Sequence, residues 1–441
     1  MTSTATLGGL LSRFTAVRKR TEELFGWVRA EAFLERPIPL RHPIVFYRGH
    51  LPAFAVNTLL KKALGRSGIR ADFETIFERG IDPADAAAAE KVSIARWPER
   101  AEIEAYVREA GERLSAAYGA IDAGDVPDAG FAREAATMCV EHEEMHQETL
   151  LYIFHHLDFS MKVPPARAPL AMLGAAPVPE TVRVPAGKAT LGVERGEVPF
   201  GWDNEFPRRT VEVPAFEIDR FDVTNGEYLE FVDAGGYGDE ALWDPLAWAW
   251  VRADDVRHPL FWEKHGGRWN WRTMFEDLEL PLSWPVYVSH AEAAAFARWR
   301  GRRLPTEAEI HRAAYGTASG AERSFPWGEE LPDRSRANFG LFRRDPVPVG
   351  SFPAGESSWG VHDLVGNGWE WTSTPFDGFP GFRASPLYPG YSADFFDGEH
   401  YVMKGGSPAT AAGLLRRSFR NWFQPRYPYP YATFRCARDA A

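Results

Sequence analysis

Cysteine is almost absent from this sequence: among 441 residues only Cys139 and Cys436 occur. Two thiols cannot build a disulfide scaffold or a thiolate-rich zinc or iron–sulfur site, and they suit a reducing compartment. Any metal has to be held by histidine and carboxylate. Long hydrophobic runs are missing too. No stretch approaches the roughly 20 apolar residues of a membrane span, and the opening MTSTATLGGLLSRF has no basic segment ahead of its short apolar patch. A soluble, cytoplasmic protein with no membrane partner is expected. Basic residues are outnumbered, 50 against 61 acidic ones, for a net charge of -11. That balance gives no general attraction for phosphate backbones, so nucleic acid is not an expected partner.

What the chain has in quantity is apolar and aromatic side chains. At 45% hydrophobic it can bury substantial cores, which excludes disorder for most of its length. At roughly 150 residues per domain, its length points to two or three domains. Of the 16 tryptophans, 13 lie in the second half, which is a first sign of two architectures. From Ser12 to Leu157, four segments repeat apolar residues at three- and four-residue spacing: SRFTAVRKRTEELFGWV, PAFAVNTLLKKAL, RAEIEAYVREAGERLSAAYGAI and FAREAATMCVEHEEMHQETLLYIFHHL. They predict an up-down helical bundle. VPPARAPLAMLGAAPVPET reads as a linker. Beyond it, VRVPAGKATLGV, RTVEVPAFEIDRFDV and PVYVS read as short strands between long loops. Helices stand out there only at VTNGEYLEFVDAG and SHAEAAAFARWRG. The expected fold class is α+β: a helical domain over residues 1–165, a linker over 166–181, and a domain of short strands and long loops over 182–441.

Within the fourth segment, EHEEMHQET places His142 and His146 four residues apart, on one face of a helix, a spacing suited to a shared metal. Glu148 lies six residues past His142, about 240° round the helix, and points elsewhere. A third ligand has to come from another segment. The best candidate is His50 in HPIVFYRGHLPAF, ahead of an apolar helix. Three neutral imidazoles suit Fe(II), Zn(II) or Cu(II), and spacing does not choose among them. An octahedral Fe(II) on three protein ligands keeps three positions open.

HPIVFYRGH, HEEMHQE, GWDNEFPRRTVEVPAF, VTNGEYLEFVDAGGY, GRRLPTEAEIHRAA, LVGNGWEWTSTPF, YVMKGGS and SFRNWFQP…FRCARD follow one another in that order. Together they resemble the ergothioneine-biosynthesis sulfoxide synthases and their ovothiol- and selenoneine-forming relatives. The resemblance implies a DinB-like four-helix bundle joined to a formylglycine-generating-enzyme-like domain with a C-type-lectin-type fold. It implies Fe(II) on His50, His142 and His146. It also implies small-molecule substrates: dioxygen, hercynine or histidine, and a donor whose sulfur or selenium becomes bonded to an imidazole carbon. Asn421 and Trp422 match positions that contact hercynine. The amide suits a carboxylate, and the indole suits a quaternary ammonium by cation–π attraction. Family members use an active-site tyrosine as proton donor, and Tyr388 and Tyr391 both lie in the right region.

The sequence departs from the family pattern at two positions. Met145 replaces a glutamine that contacts hercynine, and thioether sulfur is a weak hydrogen-bond partner. Phe423 replaces an aspartate associated with the donor's amino group. The loop continues QPRYPYPYATF, and Tyr427, Tyr429 and Tyr431 can pack against a sugar ring. The expectation therefore leans to a selenosugar donor and a selenoneine-type product. The alternatives are γ-glutamylcysteine or cysteine with hercynine, with Arg420 or Arg426 on the donor carboxylate, and an ovothiol-type reaction of histidine with cysteine. A true formylglycine-generating oxidase would need a copper-binding cysteine pair near KGGSPATAAGLLRRSF, where there is none.

Overall fold

The computed structural model describes residues 9–78, 97–166 and 171–440; part of the stretch read as a linker, residues 167–170, lies outside them. The chain forms two compact units, Met1–Arg167 with Pro386–Tyr388, and Ala168–Ser385 with Pro389–Ala441.

In the first unit the long helices are α1 (Leu10–Phe25), α2 (Ile44–Ala55), α4 (Arg100–Ala123) and α5 (Ala129–His155), with a short α3 (Ala71–Ile76) between them. The second predicted helix starts earlier than expected. The expected segment PAFAVNTLLKKAL begins at Pro52, but the helix begins after Pro43 and carries Pro52 in its interior. His50 is therefore inside α2 rather than ahead of it. Nearly every residue of α2 is buried, as expected of a helix that is apolar all round and central to a bundle. Proline removes one backbone donor, and the next turn, Val56–Ala63, is π-helical. The start of α5 is held by Asp128, whose side chain accepts from the Phe131 amide at 2.9 Å.

Among the described residues, the second unit contains four small sheets. In one, β4 (Phe216–Asp219) lies between β1 (Thr181–Val184) and β12 (Ala437–Asp439), antiparallel to both. In another the order is β10 (Asn421–Phe423), β9 (Tyr401–Gly406), β8 (Gly368–Pro375), β11 (Ala432–Thr433). β2 (Gly187–Leu191) pairs with β3 (Arg209–Val213), and β5 (Trp262–His265), β6 (Arg268–Arg272) and β7 (Asp277–Glu279) form a meander. Val184, Ala189, Val213, Phe216 and Ile218 pack with Ile310, Ala313 and Ala314 into one core.

Three expectations need correction here. PVYVS is not a ladder strand: Val286 donates to the Val223 carbonyl and Val288 to that of Ala432, so the extended segment bonds to separate neighbours. Asn421–Phe423 is a strand of the β8–β9 sheet, not part of a loop. Besides α6 (Asn225–Asp233) and α8 (His290–Trp299), helices also form at α7 (Pro245–Ala253) and α9 (Glu307–Tyr315).

Arg435, fully buried, bonds the Glu370 carboxylate on β8 through two nitrogens and also Asp222. Losing Arg435 would leave two buried carboxylates without their cationic partner.

Candidate metal centre

α2 carries His50, and α5 carries His142 and His146 one turn apart. All three are buried, with 3–5% of their surface exposed. The Nε2 atom of His146 lies 3.2 Å from that of His50 and 3.1 Å from that of His142. Metal–nitrogen bonds of about 2.1 Å meeting near a right angle put their nitrogens about 3 Å apart. The three donors therefore converge as a metal's ligands do. Burial pushes the His50 pKa down to about 4 and those of His142 and His146 well below the ordinary value, with the neighbouring imidazoles adding to the effect. The rings are thus neutral near pH 7, with lone pairs able to ligate. The donor set fits a metal.

Neighbouring groups orient these rings. His50 Nδ1 donates to the Phe77 carbonyl at 2.7 Å, which leaves Nε2 as the free donor atom toward the centre. Gly49 makes that approach possible, since a Cβ there would meet the Phe77 ring at 2.4 Å. Phe54 stacks on His142, with ring centroids 3.6 Å apart and planes within 7°. On the other side of α5, Glu143 accepts from Thr21 Oγ1 at 2.5 Å and from Arg18 at 3.0 Å, holding α5 to α1. Glu144 and Glu148 act on Arg20, which agrees with Glu148 pointing away from the two-histidine face. A second cluster, Glu263, His265 and Asp277, is largely exposed on the β5–β7 meander, where His265 Nε2 lies 3.3 Å from a Glu263 oxygen and 3.4 Å from an Asp277 oxygen.

The segment Pro386–Tyr388 belongs to the first unit. Lys62 Nζ donates to the Leu387 carbonyl at 3.2 Å. The Tyr388 ring lies 5.3 Å from Phe54 and 6.4 Å, edge-on, from His142. Tyr391 is placed differently, stacked on Trp202 at 4.0 Å and edge-on to Trp422 at 5.2 Å. Trp422 also stacks on Phe376 at 4.1 Å, and Asn421 Oδ1 accepts from the Trp422 amide at 2.9 Å. Phe423 stacks on Tyr427, which packs edge-on to Tyr429, while Tyr431 packs near Phe261 and Tyr287. Met145 is half-buried, and its carbonyl accepts from Thr149 Oγ1. Arg420 is held by Glu307 through two nitrogens and by the Asp377 carbonyl, whereas Arg426 lies 4.0 Å from Glu399.

Residues 169–440 match the sulfatase-modifying factor enzyme 1-like domain, and residues 13–150 match the DinB superfamily. The hercynine oxygenase of Mycolicibacterium smegmatis is 39% identical over 315 residues, covering 68% of this chain and 71% of that protein. The chain belongs to the hercynine oxygenase family of enzymes. The Mycobacterium tuberculosis hercynine oxygenase is 40% identical over 305 residues, again with 68% and 71% covered. Ergothioneine biosynthesis protein 1 of Neurospora crassa is 30% identical over 498 residues, covering 93% of this chain and 55% of that protein. The fold class expected from the sequence, a DinB-like bundle followed by a formylglycine-generating-enzyme-like domain, holds for this family member.

Two contributors to the three-histidine cluster are not legible in the sequence. Phe54 sits four residues past His50, a spacing that becomes visible once α2 is extended back to Ile44. The Phe77 contribution is a backbone carbonyl, which leaves no trace in residue type.

Proposed function

We propose that this enzyme uses iron(II) and dioxygen to join the sulfur of a small thiol to an imidazole carbon of hercynine, forming a sulfoxide. The convergence of three buried, neutral Nε2 donors on one point carries the reading, and the family supports hercynine as the acceptor. The equation balances. A thiol, an imidazole C–H and O₂ give the carbon–sulfur bond, one oxygen on sulfur, and one water that takes both hydrogens.

Iron(II) on His50, His142 and His146 would supply the activation of dioxygen. The chain's own residues supply orientation and protons. The Phe77 carbonyl keeps the His50 proton on Nδ1, and Phe54 fixes the plane of the His142 ring. Tyr388, packed against Phe54 and beside His142, is the proposed proton donor, while Tyr391 is assigned to the packing around Trp202 and Trp422. Asn421 and Trp422 are the proposed acceptor contacts. A thiol donor is preferred to a selenosugar because the rings of Phe423, Tyr427 and Tyr429 are packed on one another and because the relatives are named for hercynine oxygenation and ergothioneine biosynthesis. With Arg420 engaged by Glu307, Arg426 is the proposed partner for a donor carboxylate.

Anaerobic titration with Fe(II) tests the site. Wild type should take up one iron per chain. His50→Ala, His142→Ala and His146→Ala should each weaken binding sharply and abolish turnover, with unchanged circular dichroism, because each supplies one of three protein donors. Wild-type iron occupancy in His50→Ala would remove that residue from the centre.

A further inference from the structure

We infer that Asp203 is a positioning residue for Tyr388, its single buried carboxylate tying together both ends of the 385–392 loop. This inference rests on the reading of Tyr388 as proton donor. Asp203 is 2% exposed and opens the 3-10 turn Asp203–Glu205. Its Oδ2 accepts from the Ser385 amide at 3.2 Å, and its Oδ1 accepts from the Ser392 hydroxyl. Asn204 Nδ2 donates to that same hydroxyl oxygen at 2.9 Å, so Ser392 Oγ both gives and receives a bond. One residue earlier on each side, Trp202 stacks on Tyr391. The loop's neck is thus held at Ser385 on one side and at the successive positions Tyr391 and Ser392 on the other.

The turn that holds the neck is itself anchored. Glu205, fully buried, closes back onto the Trp202 amide at 2.8 Å. It also receives Arg416 through two nitrogens, at 2.8 and 2.5 Å, and Ser418 Oγ at 2.6 Å. The carboxylate of Asp203 therefore projects from a fixed base. The loop's tip carries Tyr388 beside Phe54 and His142, with Lys62 on the neighbouring Leu387 carbonyl. A neck pinned on both sides restricts how far the phenol at the tip can wander. A reacting group displaced by about 1 Å can lose about a hundredfold in rate. The motif GWDNEFP thus acts through the tyrosine it holds, without touching the substrates.

The test uses the full chain loaded with Fe(II), turning over hercynine with γ-glutamylcysteine, in five forms: wild type, D203N, S392A, Y388F and the D203N/Y388F double variant. In D203N one of the two loop bonds meets an amide NH₂ in place of an acceptor oxygen. D203N should lower kcat between about tenfold and a hundredfold and leave iron content unchanged. S392A should act in the same direction, and it carries the test if D203N fails to fold. Adding D203N to Y388F should cost nothing further, because a residue that acts only through Tyr388 has nothing left to position. Amide exchange read by mass spectrometry should quicken in peptides spanning 385–392. The inference is overturned if the D203N loss multiplies with that of Y388F, if exchange at 385–392 is unchanged, or if D203N and S392A both turn over like wild type. Full activity in Y388F would instead sink the proton-donor reading, and the exchange result would still decide whether Asp203 holds the loop.

Discussion

For His50, burial and the Phe77 carbonyl act in opposite directions on the ring, and burial wins, holding the pKa at about 4. An unfolded chain's histidine titrates near 6.5. Between those values the unfolded state binds a proton that the folded, metal-free state refuses. Stability from the neutral ring is therefore fully present above about pH 6.5 and is lost as pH falls toward about 4. Denaturant midpoints of the metal-free protein should drop across that window, and His50→Gln should flatten the drop. An unchanged slope in His50→Gln would mean that other groups govern it. Iron affinity should fall over the same range as protons compete for the imidazoles. Trp422 shows a different balance. Phe376 stacks on one of its faces and Tyr391 and Phe395 also pack against it, so truncating the indole would remove packing along with any contact to the proposed acceptor.

The helices of the second unit depend on their caps. Thr306 Oγ1 accepts from the Glu309 amide at 3.1 Å, and the Glu309 carboxylate accepts from the Thr306 amide at 2.8 Å. Replacing Thr306 by Ala should cost about 1 kcal/mol of stability, read as a lower denaturant midpoint, with iron binding unchanged. A loss several times larger would mean that α9, which packs on β2 and β3, unfolds as a unit. The same signature, Ser or Thr followed three residues later by Glu, stands at Thr224 and Ser289. Those two helices stand out in the sequence, whereas the one at Thr306 is not among the expected helices although its cap is there to read. The His142/His146 pair was legible because helical spacing alone puts both on one face. Convergence of His50 with them was only an expectation, since it depends on how α2 packs against α5. The short strands of the β8–β9 sheet were illegible for another reason. Three-residue elements such as Asn421–Phe423 carry too few positions for any period, and long-range pairing defines them. The two candidate tyrosines could not be told apart either, because their surroundings come from segments far from them and from each other in sequence: Phe54 for Tyr388 and Trp202 for Tyr391.

At the scale of the molecule, each unit is stabilised on its own terms. The first buries an apolar bundle around three neutral imidazoles. The second buries paired charges, among them Arg435 with Glu370 and Asp222, where short strands and long loops leave many polar groups to satisfy. In the proposed reaction, function follows from what the bundle's buried donors can hold and from the substrates brought to them. Turnover tests that directly. Fe(II)-reconstituted wild-type protein, exposed to dioxygen with hercynine or histidine and with γ-glutamylcysteine, cysteine or a selenosugar in turn, should give a carbon–sulfur-bonded sulfoxide of hercynine by mass spectrometry. That product should be absent without iron or dioxygen. A product formed only from the selenosugar, or only from histidine, or no loss of hercynine with any donor, would contradict the proposed reaction.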